Sequence, residues 1–275
     1  MNTKIVKLFV CPYIFFILVT LFLFQGKVQG QTGARAASLA NATVADNGFW
    51  AIMGNPAGLN GIQGIQGGLS IADRFLVSEL RQGTFALAVP VNRAHTGFSL
   101  SRYGFGLYSE NRAGIIYSGQ ILEKLCIGAE LHYTWIVVGE SKEQEHRVNC
   151  NLGMIFKANE TLFLGLHTGN PVSFFQDDPT ELPCIRLGAK FLPSQEWLIL
   201  FEVDKTLYRP ISWKAGMEIS LLQQVFLRTG ISVPPLSLSF GAGYINGHFT
   251  IDLASAYHYV LGFSPQLSII YSFNK

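Results

Sequence analysis

From about Gly67 to Phe273 the sequence alternates residue by residue, and this period of two constrains the fold more than any other feature. In Leu125–Val138 one side reads Leu125, Ile127, Ala129, Leu131, Tyr133, Trp135, Val137. The other reads Cys126, Gly128, Glu130, His132, Thr134, Ile136. Ser212–Leu221 and Leu236–Ile245 alternate in the same way. A soluble sandwich also alternates, so the content of the two faces has to decide. The oily face carries Tyr133, Trp135, Trp197, Trp213, Tyr244 and Tyr257 near strand ends, where a membrane barrel places its interfacial girdles. The opposite face mixes Gly and Ser with Arg112, Glu130, His132, Arg186, Lys190, Glu202, Lys214, Glu218, Arg228 and Asp252. A sandwich core does not accommodate so many ions, whereas a barrel lumen pairs them with one another and with water.

Composition agrees. Of 275 residues, 49% are hydrophobic and 14% charged, against a norm of about 25% charged. After the first 24 residues there is no apolar run of about 18, so no later helix spans a bilayer. The expected fold is therefore all-β: a transmembrane antiparallel barrel of about 14 strands. They are placed near 67–74, 82–91, 93–103, 111–121, 125–138, 147–157, 161–169, 183–192, 196–204, 212–221, 225–233, 236–245, 247–257 and 266–273. Alternate connections are short, such as Pro90–Asn92 and Leu122–Lys124. Most of the others are longer, such as Phe75–Arg81 and Asn170–Leu182, with Pro234-Pro235 the exception. That asymmetry is expected of periplasmic turns and outer loops, with both termini periplasmic. Leu267, Ile269, Tyr271 and Phe273 alternate almost to the C-terminus, the kind of terminal strand that outer-membrane assembly machinery recognises.

Residues 1–30 read as a signal peptide: Lys4 and Lys7, an apolar Leu8–Phe24, then Val28-Gln29-Gly30. The alternative is an uncleaved anchor helix. The leader holds three of the twenty basic residues and no acid, leaving 17 basic against 18 acidic side chains. No basic patch for nucleic acid is left. Cys126, Cys150 and Cys184 fall on three separate strands without a paired spacing. They suggest neither a disulfide framework nor a metal site and read as small fillers; the alternative is that one pair oxidises outside the cytoplasm, with nothing in the sequence to select it.

Residues 31–66 stand outside the strand pattern, between the leader and a barrel over 67–275, and read as a lumen plug. Asn55 is suited to cap a helical turn and Pro56 to begin it, so Asn55, Pro56, Ala57, Gly58 and Leu59 form a short helical turn in the plug. Phe49, Trp50, Ile52 and Met53 are its anchors.

The order Gly-Ala-Arg-Ala-Ala (Gly33–Ala37), Val-Ala-Asp (Val44–Asp46), an aromatic pair and Asn-Pro-Ala-Gly-Leu (Asn55–Leu59) resembles the FadL-like outer-membrane proteins. Within them it is most similar to the PorV/PorQ branch of the Bacteroidota. The resemblance implies a 14-stranded barrel with an internal N-terminal segment. Relatives of the FadL type pass hydrophobic molecules. PorV and PorQ serve type IX secretion, holding or handing over exported proteins. This chain is shorter, and its small outer loops speak against an extensive ligand cap.

No GxSxG, HExxH or phosphate-binding loop occurs in a fitting context. The expectation is a protein without catalysis and without cofactor or metal, in contact with outer-membrane lipid. A PorV/PorQ-like role beside a secretion or surface protein is the first reading, passage of small hydrophobic compounds the second, and a barrel-borne hydrolase the third. The acidic stretches Glu140–His146 and Gln176–Glu181 read as solvated loops rather than cation sites.

Overall fold

The computed structural model describes residues 33–139, 143–175 and 181–273. The leader over 1–30 lies outside them, as do parts of both acidic loops. Alternating sequence folds into fourteen strands: β1 Gln66–Asp73, β2 Arg81–Val91, β3 Ala94–Gly104, β4 Tyr108–Leu122, β5 Leu125–Val138, β6 Glu143–Lys157, β7 Leu162–Gly169, β8 Cys184–Phe191, β9 Trp197–Thr206, β10 Ser212–Leu222, β11 Val225–Val233, β12 Ser237–Asn246, β13 Phe249–His258 and β14 Gly262–Ser272. Each pairs antiparallel with its chain neighbour, and β14 closes on β1 with Leu69 opposite Ile269. Closure leaves no sheet edge along the seam, as a membrane-spanning sheet requires.

The faces separate as the period dictates. Leu131 is 58% exposed on the outer wall, whereas Glu130 beside it is 3% exposed inside. Outer-face aromatics cluster across strands: Phe201 with Trp213, and Tyr257 with Phe263. At one end, the turn end, the links include the two-residue turns Asn92-Arg93 and Gly247-His248. There Asn92 and Gly247 adopt φ of 55°, the left-handed geometry that tight hairpins favour.

Strands at the opposite, loop end are longer than alternation alone suggests. β4, β6 and β14 start at 108, 143 and 262 rather than near 111, 147 and 266. The first residues of β6 (Glu143, Gln144, Glu145, His146) are polar on both faces, so hydropathy gives no period there. The ladder with β5 nevertheless runs on to the Glu143–Val138 pair, because backbone hydrogen bonding needs no oily face.

Candidate functional site: the lumen and the segment inside it

Residues 33–65 run inside the barrel. Ala34–Ser38 form a short helix, and Phe49–Met53 and Pro56–Gly61 are 3₁₀ turns. The first follows from an alanine-rich run, although the sequence reading placed no helix there. Asn55 caps the last turn, its Oδ1 accepting the Ala57 N–H at 3.1 Å, with Pro56 at the first helical position. The Asn55 side chain also donates to the carbonyls of Val44 (2.6 Å), Met154 (3.3 Å) and Leu166 (3.2 Å). One buried amide thus ties two parts of the segment to β6 and β7. Phe49, Trp50, Ile52 and Leu59 are buried together with Ala86, Ala88 and Ile116 of the wall, and Met53 packs at the margin.

The wall meets the segment with glycine. Gly128 of β5 pairs with Gly153 of β6, Gly165 of β7 with Gly188 of β8, and Gly216 of β10 with Gly230 of β11. A Cβ at Gly153 would overlap the Asn55 side chain, and one at Gly216 would lie 2.8 Å from the Leu39 carbonyl oxygen. Close backbone approach is what demands glycine at these positions. Wall side chains hold the segment's free N–H groups: Ala34 donates to Ser268 Oγ (3.1 Å), Ala40 to Ser239 Oγ (3.1 Å) and Val44 to Glu202 Oε2 (2.9 Å).

The ten polar lumen residues fall into three groups. Lys190, Glu218, Arg228 and Asp252 join through two residues of the segment, Arg35 and Asp46. Lys190 binds Asp46 at 3.3 Å, Asp46 binds Arg35, and Arg35 binds Glu218 at 2.9 Å. Arg228 then binds Glu218 at 2.5 Å and Asp252 at 2.6 Å. The result is an alternating relay of six ions from β8 to β13 through the centre. In the second group Arg186 grips Glu202 with two bonds (2.8 and 3.1 Å), and Lys214 bridges Glu202 (2.9 Å) and Asp204 (3.0 Å). In the third Arg112 binds Glu130 at 2.6 Å, while His132 lies 3.1 Å from Arg112 and 3.9 Å from Glu130. Asn151 donates to the other Glu130 oxygen at 2.6 Å.

Burial alone would raise the Asp46 carboxyl, but Arg35 and Lys190 outweigh it and hold this carboxyl below the usual carboxylate range. Arg35, Asp46 and Asp204 were not among the lumen residues read from sequence. Their signal was present for two of them: Arg35 and Asp46 are the only charged residues over 33–65, and they are opposite in sign.

Beside the relay lies a cavity of about 160 Å³, lined by Ala36, Phe49, Trp50, Ala51 and Ile270, with Arg35 and Asp46 at its polar margin. Cys126 faces the lumen, where its sulfur accepts from Asn60 at 3.2 Å, and all three described cysteines are free thiols.

The chain has the fold of the FadL-like outer-membrane barrels. It resembles the Pseudomonas putida toluene transporter TodX at 13% identity and a TM-score of 0.70, over 90% of this chain and 100% of that one. The Ralstonia pickettii toluene transporter TbuX matches at 11% identity and 0.66, over 89% and 97%. A Pseudomonas aeruginosa FadL homologue matches at 12% and 0.66, over 88% and 98%. No family model matches the sequence, and no curated protein does.

Proposed function

We propose that this is a non-catalytic outer-membrane barrel that handles small hydrophobic compounds, with the N-terminal segment as its gate. The observation that carries this reading is the cavity of about 160 Å³ between the Phe49–Trp50 pair and β14. An apolar cavity of roughly 150 Å³ is large enough for benzene. Two of the structural neighbours are described as toluene transporters, which supports the same substrate class. The glycine pairs and the ion relay supply a seat that the segment can leave without disturbing the strand ladder. The test is toluene uptake by cells carrying the barrel with Ala51→Phe, which adds bulk to a lining residue of the cavity. Uptake is expected to fall to the background of cells lacking the protein, with normal barrel assembly. Unchanged uptake contradicts the reading.

A second reading, a PorV/PorQ-like partner in type IX secretion or surface attachment, is favoured by the ordered motif over Gly33–Leu59. It is favoured also by a wall in which every neighbouring strand pair is laddered. Deletion of the protein then strands exported cargo in the periplasm, whereas a conduit leaves export untouched.

A further inference from the structure

β6 outruns its neighbour. It is laddered to β5 along its length, from the Glu143–Val138 pair to the Phe156–Leu125 pair, but meets β7 only over Asn151–Lys157. The last bond on the β7 side joins the Asn170 N–H to the Cys150 carbonyl at 2.8 Å. Lys157 donates the other way, toward Lys124 beside β5. Successive residues of a strand turn their backbone groups to opposite sides, so the even-numbered residues of β6 face β7. Gln144, His146 and Val148 therefore direct three N–H and three C=O groups to a strand position that no described residue fills. All three residues are exposed.

An open edge of this kind is a template for another strand, and folded proteins normally cover it. Among the described residues nothing covers this one: β7 ends at Gly169, and the Pro171–Phe175 turn lies beside the gap with Val172, Phe174 and Phe175 exposed, Phe175 at 92%. From Glu143 to Arg147 the edge is polar on both faces, so this part stands in water beyond the oily wall, with the exposed Val148 at the margin. We propose that the Gln144–Val148 edge captures an extended segment of a partner polypeptide by strand addition.

The position of the gap selects the occupant. It continues the line of β7 beside the extended ends of β5 and β6, within reach of a segment arriving from the water side. Exposed Glu143 and Glu145 flank the edge, with Arg147 paired to Glu145 at 2.7 Å, which leaves an acidic margin. The fitting segment carries apolar side chains at alternate positions, to meet Val172, Phe174 and Phe175, and basic ones between them. The site shares no residue with the lumen relay or the cavity, so its loss leaves uptake through the lumen unchanged.

The test is selection of a random ten-residue peptide library on the full barrel in nanodiscs, with counter-selection on Val148→Pro. Proline at this position removes an N–H that the β5 ladder does not use. Gln144→Pro does the same if Val148→Pro fails to assemble. The result expected is a set of alternating apolar and basic peptides that bind at least tenfold more weakly to the proline variant. Those peptides also protect the Gln144, His146 and Val148 amides from hydrogen exchange. Absence of any peptide that prefers the unsubstituted edge overturns the proposal, as does binding that leaves those amides unprotected.

Discussion

Arg35 and Glu218, 183 positions apart in the chain, are joined at 2.9 Å across the lumen, and Arg228 shares the same carboxylate at 2.5 Å. Glu218 is thus one of the links through which the wall holds the segment.

Glu218→Ala strips a partner from both arginines. Removing one member of a buried ion pair costs about 3–5 kcal/mol. That cost falls on the seating of the segment, because the strand ladder does not run through these side chains. Trypsin is expected to cut at Arg35 at least tenfold faster than in the unaltered protein, while the barrel keeps its heat-modifiable mobility. Equal cutting rates contradict the relay.

Gly153→Leu places a side chain where Asn55 sits. The segment must leave, so the variant is expected to show the same fast cutting at Arg35. Ala215→Leu, on the lipid side of β10, is the matched control and should leave cutting unchanged. If both variants keep the segment protected, close packing on the glycine pairs is not what seats it.

Asp46 gives the seating a pH dependence. Its carboxyl is held below the ordinary value of about 3.9 while the segment is docked, so its contribution is present above that value. The contribution is lost as pH falls through the lower, docked value. Protection of the segment should stay constant from neutral pH down to about 4 and weaken in more acid solution. Asp46→Asn should weaken it already at neutral pH. An Asp46→Asn variant with unaltered protection sinks this assignment. The measurement is cleavage by pepsin in acid and by trypsin at neutral pH.

The barrel was legible because its physics is periodic: Leu131 against Glu130, repeated along fourteen strands, reports lipid on one side and water with ions on the other. Asn55 and Pro56 were legible as a cap and a first turn because that chemistry is local. What sequence could not supply was long range. Nothing local tells that Arg35 meets Glu218, or that Gly128 stands opposite Gly153 under the backbone of Pro56. The inner glycines read as part of a mixed lumen face, and their pairing emerges only from strand register. The start of β6 was missed for a different reason: above the bilayer the two faces of a strand no longer differ.

The outward wall makes its own prediction. Leu131→Arg puts a charge on the lipid face, where arginine near the bilayer midplane costs about 2–4 kcal/mol. Its urea midpoint in lipid vesicles should fall well below that of the unaltered barrel. Thr134→Ser, on the lumen face of the same strand, should leave the midpoint in place. An unaltered midpoint for Leu131→Arg removes that face from the lipid.

The central claim is that the beginning of the chain closes the lumen of a membrane-embedded barrel, and steady conductance across a planar bilayer tests it most directly. The intact protein is predicted to insert without steady conductance, and the protein lacking residues 33–62 to conduct continuously. Equal conductance from both, or silence from an inserted protein that lacks the segment, contradicts it.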